Sequence, residues 1–196
     1  MPRFSGDVGI GDVIVTREGP WYVSWPIRLG SALLGLPAFT NHCIVIHHRN
    51  PDTDHWMGIE GRPGGVGWVD VTSRLSAPLT NANTEQPKTE EQRFLVATAA
   101  EKLLSMPYDW AAILHDSLEA ARIWDLLNAK EWEDGELPGQ VVCSAFADWA
   151  YEKVGLPNPG GNRLTRFTFP AHWDRFIMKR EWETQTNETE KWEEMR

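Results

Sequence analysis

Short β-branched apolar runs crowd the first third of the chain, and longer stripes of helical period follow them. Residues 10–16, IGDVIVT, predict a strand behind a Gly-Asp turn. Residues 41–48, NHCIVIHH, predict a buried strand. HWMGIEG at 55–61 and GGVGWVDVT at 64–72 predict two more, with the turn-rich RNPDTDH between the first pair. The spacing is that of hairpins, so the strands are expected to form an antiparallel meander. Residues 22–39 are mixed, and WPIRLGSALLGLPAF predicts a short helix between prolines.

The pattern then changes period. Residues 76–88 are polar and read as a loop. Thr89 and Gln92 form a capping-box pair, and Phe94, Ala97, Leu103 and Leu104 continue a helical stripe to about Met106, which Pro107 closes. Residues 110–129 predict a second amphipathic helix. From Cys143 to Val154 a third has Phe146, Trp149, Ala150 and Val154 on one side and Asp148, Glu152 and Lys153 on the other. Gly155 is its stop signal and Pro157 forbids continuation. Residues 156–163 read as a loop, FTFPAHWDRF as a final turn, and the polar stretch from Glu181 as a loosely held tail. Strands first and helices later indicate an α+β fold, an antiparallel sheet packed against helices, in one domain over 1–180 with a tail over 181–196.

Composition narrows the partners. The 196 residues are ample for a buried core, and 41% apolar with 24% charged residues reads as globular. The formal net charge of −9, without a basic stripe, excludes nucleic acid as a natural partner. No apolar run reaches membrane-spanning length, and the start lacks the apolar core of a signal peptide. Synthesis in a cytoplasm is therefore expected, with later delivery to a cell wall or inside a phage particle left open. Eleven tryptophans are scattered along the chain, which favours core and groove-wall roles over a single aromatic box.

Two cysteines do not make a disulfide framework. Cys143 falls in the first turn of its helix, where unpaired N–H groups and the helix dipole favour a thiolate. The same position suits a small buried hydrophobe, and both readings stay open on these residues alone. Cys43 follows His42 directly, so in a strand it projects to the opposite face and belongs to the core; a Cys43–Cys143 disulfide is the less favoured alternative. A thiol nucleophile needs a base and the base needs an orienting group. His42, at the start of its strand, is the best base. Glu60, on the neighbouring strand, is the best carboxylate to fix the imidazole tautomer. A zinc site among His42, His47, His48 and His55 is disfavoured, because alternation sends His47 to the face opposite His42 and His48 and no metal-ligand spacing is present. GRPGGVG lacks the lysine and helix of a phosphate loop and reads as a tight turn; no cofactor is expected.

Taken in order, GDVIV, NHCIVI, GIEGRPGGV, MPYDW and VVCSAFADWAYEKVGL resemble the circularly permuted papain-like branch of the NlpC-type cysteine peptidase superfamily, the YiiX-like and lecithin:retinol acyltransferase-like proteins. The resemblance spans roughly residues 11–156. It implies Cys143 as nucleophile, His42 as base, Glu60 as orienting acid, and Tyr108 near the site as a donor to an oxyanion. The order His, acid, Cys is the permuted one. Asn41 stands where that family has Ser, Cys43-Ile44 where Val-Gly is common, and no Glu follows Cys143-Ser144. The implied activity is a thiol hydrolase of amide bonds in peptidoglycan stem peptides or another small peptide. An acyltransferase or thioesterase on lipid esters, and a catalytically silent binding module, are the alternatives. The Trp richness and the absence of an export signal suit a phage- or bacterium-encoded protein.

Overall fold

Four of the five strands grow from the apolar runs of the first third. The computed structural model describes residues 6–18, 21–108, 143–159 and 168–183. In chain order the elements are β1 (Val13–Thr16), α1 (Trp21–Leu33), β2 (His42–Arg49), β3 (Trp56–Arg62), β4 (Gly65–Asp70), α2 (Thr72–Leu75), β5 (Asn81–Ala82), α3 (Glu90–Glu101), α4 (Cys143–Glu152) and α5 (Pro170–Lys179). The strands form one sheet in the order β4-β3-β2-β1-β5, every pairing antiparallel. The fold is thus mixed, a five-stranded antiparallel sheet with several helices.

Each sheet face has its own core. Val13, Val15, Cys43, Val45 and Ile59 pack against Val96 and Ala100 of α3, Phe146 and Ala150 of α4, and Trp173 and Phe176 of α5. Ile14, Ile44 and Ile46 point the other way, onto Val8, Val71 and Ala82. Strand alternation sorts the two sets. Burying Ile44, Val45 and Ile46 completely is worth about 1.5–3 kcal/mol each, so β2 is anchored from both sides. Gly58 permits this closeness: a Cβ there would lie 2.7 Å from Ile44 Cγ2.

Several expectations are corrected. Residues 76–88 are not a plain polar loop. Asn81 and Ala82 extend the sheet beside β1, and Asn81, Asn83 and Gln86 are buried because their amides bond across the fold, Asn83 to Tyr151 Oη at 2.7 Å and Gln86 to the Pro157 carbonyl at 2.9 Å. The Thr89–Gln92 capping box forms, but α3 turns Val96, Ala97, Ala99 and Ala100 inward and leaves Phe94 exposed. Helix α1 includes Pro26 rather than lying between prolines. The final turn is the ten-residue α5, started by Pro170 at its first position with the Phe169 N–H donating to His172 Nδ1 at 3.0 Å. The chain just after it is not loose, since Trp182 is buried against Phe176. Gly155, at φ +69°, ends α4 as its sequence requires. The helix expected over 110–129 lies outside the described residues.

One correction concerns the histidines. The β2–β3 register shifts between Ile46 and His48, and this bulge overrides alternation. His47 and His48 meet, Nδ1 to Nδ1 at 2.9 Å, with both rings edge-on to Trp68.

Candidate functional site

The site forms at the end of the sheet where β2 begins and β3 ends. Asn41 fixes the entry to β2: its N–H donates to the Thr16 carbonyl at 3.0 Å, and its side chain accepts from Glu18 N–H at 2.9 Å while donating to the Glu18 carbonyl. His42 follows as the first residue of the strand. Glu60 sits opposite Ile44 in the β2–β3 register, so by alternation His42 and Glu60 share the face turned away from α4. The sulfur reaches them around the sheet's end. Gly61 borders it: a Cβ on Gly61 would be in ordinary contact, 3.5 Å from both N and Cα of Cys143, the first described residue of α4, and 3.5 Å from the Tyr108 ring.

His42 Nε2 bonds Glu60 Oε2 at 2.8 Å, and the ring also hydrogen-bonds Cys143. With Nε2 engaged by the carboxylate, Nδ1 is the nitrogen left to serve the thiol. Burial alone would lower the imidazole pKa. The hydrogen bonds and negative charge of Cys143 and Glu60 reverse this and hold it at about 10. Burial pushes the Cys143 thiol up, but the bond and charge of His42 more than offset it, helped by the Cys43 amide and the Tyr108 hydroxyl, so its pKa ends below the ordinary value. Cys43, equally buried, has its thiol pushed well above that value by desolvation and by the acids around it. Both cysteines are free thiols, so the disulfide alternative is not formed. Burial likewise raises Glu60, but His42 and Arg74 bring it down to about 2.

All four residues picked from the sequence therefore meet: Cys143, His42, Glu60 and Tyr108. Tyr108 stands on the sulfur itself, its hydroxyl bonded to the thiol. The sequence reading missed four further participants. Arg74 Nη1 donates to Glu60 Oε2 at 2.8 Å and its Nη2 pairs with Glu18 Oε2 at 2.9 Å. Arg62 Nη1 lies 3.4 Å from Glu60 Oε1. The fourth is the Cys43 backbone N–H on the sulfur. Arg74 lies in the short helix after β4 and Glu18 just after β1, and no local pattern marks either; the successive pairings from β4 through β3 and β2 to β1 bring them together. A cavity of about 250 Å³ opens beside the group, lined by Glu18, Ile27, His42, Arg62, Arg74 and Tyr108 among others.

Among the described residues, no three His, Cys, Asp or Glu side chains gather as metal ligands, and no helix is long and apolar enough to cross a membrane. No protein-family model matches the chain, and a search of curated proteins finds no match.

Proposed function

We propose that this protein is a thiol-dependent hydrolase of amide bonds, built on a permuted papain-like fold of the NlpC type. The observation that carries this reading is His42 held between the Glu60 carboxylate and the Cys143 sulfur beside an open cavity. The order histidine, acid, cysteine along the chain, with the first two on adjacent strands and the third on a packed helix, supports the fold.

In this mechanism Cys143 and His42 rest as thiolate and imidazolium. The thiolate attacks the substrate carbonyl carbon, forming a C–S bond while the carbonyl oxygen takes the negative charge. The Cys43 N–H and the Tyr108 hydroxyl, which help to stabilise the thiolate, are the donors this reading assigns to that oxygen. Collapse breaks the C–N bond, and His42 gives its proton to the leaving amine. His42, now neutral, takes a proton from water as the water oxygen attacks the thioester. Release of the carboxylic acid breaks the C–S bond and restores the ion pair. Glu60 stays ionised throughout and keeps Nε2 protonated, as the third member of a triad does.

A small peptide suits the cavity's size and polar rim, and peptidoglycan stem peptides are the first substrates to try. The test is release of soluble peptides from purified peptidoglycan, beside labelling with a cysteine-directed epoxide. Wild type should release peptides and take label on Cys143, and Cys143→Ala should do neither. Equal release by both proteins would end the proposal.

A second reading, transfer or hydrolysis of lipid acyl groups, is favoured by one observation. Trp25, Leu29 and Leu33 form an exposed apolar stripe on α1, the helix whose Ile27 lines the cavity. Turnover of p-nitrophenyl esters that rises with chain length, without peptide release, would select it.

A further inference from the structure

The cavity beside His42 is lined by two carboxylates and two guanidiniums, and the charges are unequally engaged. Arg74 is fully committed: one nitrogen lies 2.8 Å from Glu60 and the other 2.9 Å from Glu18. Both contacts are in the range of strong charge-assisted hydrogen bonds. Glu60 Oε2 receives two donors, Arg74 and His42. Arg62 differs. Its side chain is 52% exposed, and its ion-pair contact among the described residues is a long 3.4 Å to Glu60 Oε1. A contact of that length and exposure holds little of the guanidinium's capacity, leaving most of its five donors for another partner. Arg62 directly follows Gly61, whose backbone abuts Cys143, so the underused cation stands one residue from the thiol's seat.

We infer that Arg62 seats a carboxylate of the substrate, so that the acyl compounds cleaved here carry a free carboxylate close to the scissile carbonyl. The inference rests on Cys143 as the nucleophile. A planar guanidinium presents paired N–H groups to a carboxylate, which a lysine would meet only as a point charge. The attraction is local. In the acyl-enzyme His42 is neutral and the two guanidiniums balance Glu60 and Glu18, so what favours an anionic acyl group is direct contact with the exposed Arg62 guanidinium, whose long ion pair leaves donors to offer. An amide analogue would meet the same N–H groups without the charge.

Iodoacetate and iodoacetamide test this on the whole chain, because they alkylate the same sulfur and differ only in carrying a carboxylate or a carboxamide. The quantity read is the ratio of their second-order rates at Cys143, located by peptide mapping. Because the ratio cancels any change in the thiol's own reactivity, removing one partly exposed charge should lower it about three- to fivefold in Arg62→Gln. Arg62→Lys should keep most of the ratio, and raising the salt concentration should erode it in wild type more than in Arg62→Gln. A Cys143 that reacts fast with both reagents and keeps its ratio in Arg62→Gln overturns the carboxylate seat and leaves the nucleophile standing. A Cys143 no faster than Cys43 overturns both.

Discussion

Two buried carboxylates in this protein are built alike and differ in what lies beyond them. Asp12 Oδ1 accepts Lys88 Nζ at 2.9 Å and Arg93 Nη1 at 2.9 Å. Glu60 Oε2 accepts His42 Nε2 and Arg74 Nη1, each at 2.8 Å. Around Asp12 the other bonds tie the chain to itself: its Oδ2 takes the Gly9 N–H, Lys88 also donates to the Asn83 carbonyl, Arg93 to the Ile10 carbonyl, and Tyr151 Oη donates to the Gly11 carbonyl. The Lys88 side chain is wholly buried. That cluster ties the start of β1 to the entrance of α3 and to α4. Around Glu60 one cation is a titratable imidazole, a thiol lies on its far side, and a cavity opens beside it. A carboxylate with two cations is thus a staple in one place and the root of the proposed reactive centre in the other. The neighbours decide which.

The first way to break the comparison is to remove a cation from the closed cluster. Lys88→Met strands part of a buried charge and should cost about 3 kcal/mol in urea-unfolding stability. The pH profile of Cys143 alkylation should not move. A shifted profile would mean that the two clusters communicate and that the staple reading is incomplete.

The next test is on the open side. His42→Ala removes the partner that lowers the Cys143 thiol, and alkylation by iodoacetamide at pH 6 should slow about a hundredfold, towards the rate of Cys43. The same histidine carries a pH signature. Its folded value of about 10 lies above its ordinary 6.5, so the stability it contributes is fully present below pH 6.5 and is lost as the pH rises towards 10. The gap in stability between wild type and His42→Ala should close over that interval. The proposed peptide hydrolysis should fail near its upper end, where the leaving group would lose its acid. A gap that widens with pH would place the proton elsewhere.

How much of this was legible in the residues follows from how local each feature is. The Ile44–Ile46 run, the Thr89–Gln92 cap and the Gly155 stop act within a few positions, and each formed as read. Cys143, His42, Glu60 and Tyr108 stood out through the ordering of motifs, and folding brings their side chains together. Three things escaped. The bulge at His47 depends on strand pairing and not on the β2 sequence alone, so simple alternation misplaced that ring. Asn81, Asn83 and Gln86 looked like a polar loop because an amide's burial is decided by partners 68 to 93 residues away, Tyr151, Pro157 and Asp174. Arg74 and Glu18 drew no notice, since nothing near them in the chain reveals the carboxylate they serve.

Arg74 and Glu18 supply the finest test, because opposite changes at one ion pair should move the same curve in opposite directions. Arg74→Gln takes a positive charge from the oxygen that His42 also holds. The thiolate and the imidazolium both then titrate higher, and the lower limb of the alkylation profile should rise by about half a unit. Glu18→Gln removes the anion on the other side of Arg74, leaving that guanidinium's charge less compensated, so the limb should fall by a few tenths of a unit, about half the Arg74 effect because Glu18 is a step further from the sulfur. Arg93→Gln, the matching change at Asp12, should leave the limb where it is. A loss of rate in Arg74→Gln with an unmoved limb would mean that Arg74 only props Glu60 in place, and the likeness between the two carboxylates would then extend to their roles. Limbs that part in opposite directions would show the brace acting on the thiol through its charge.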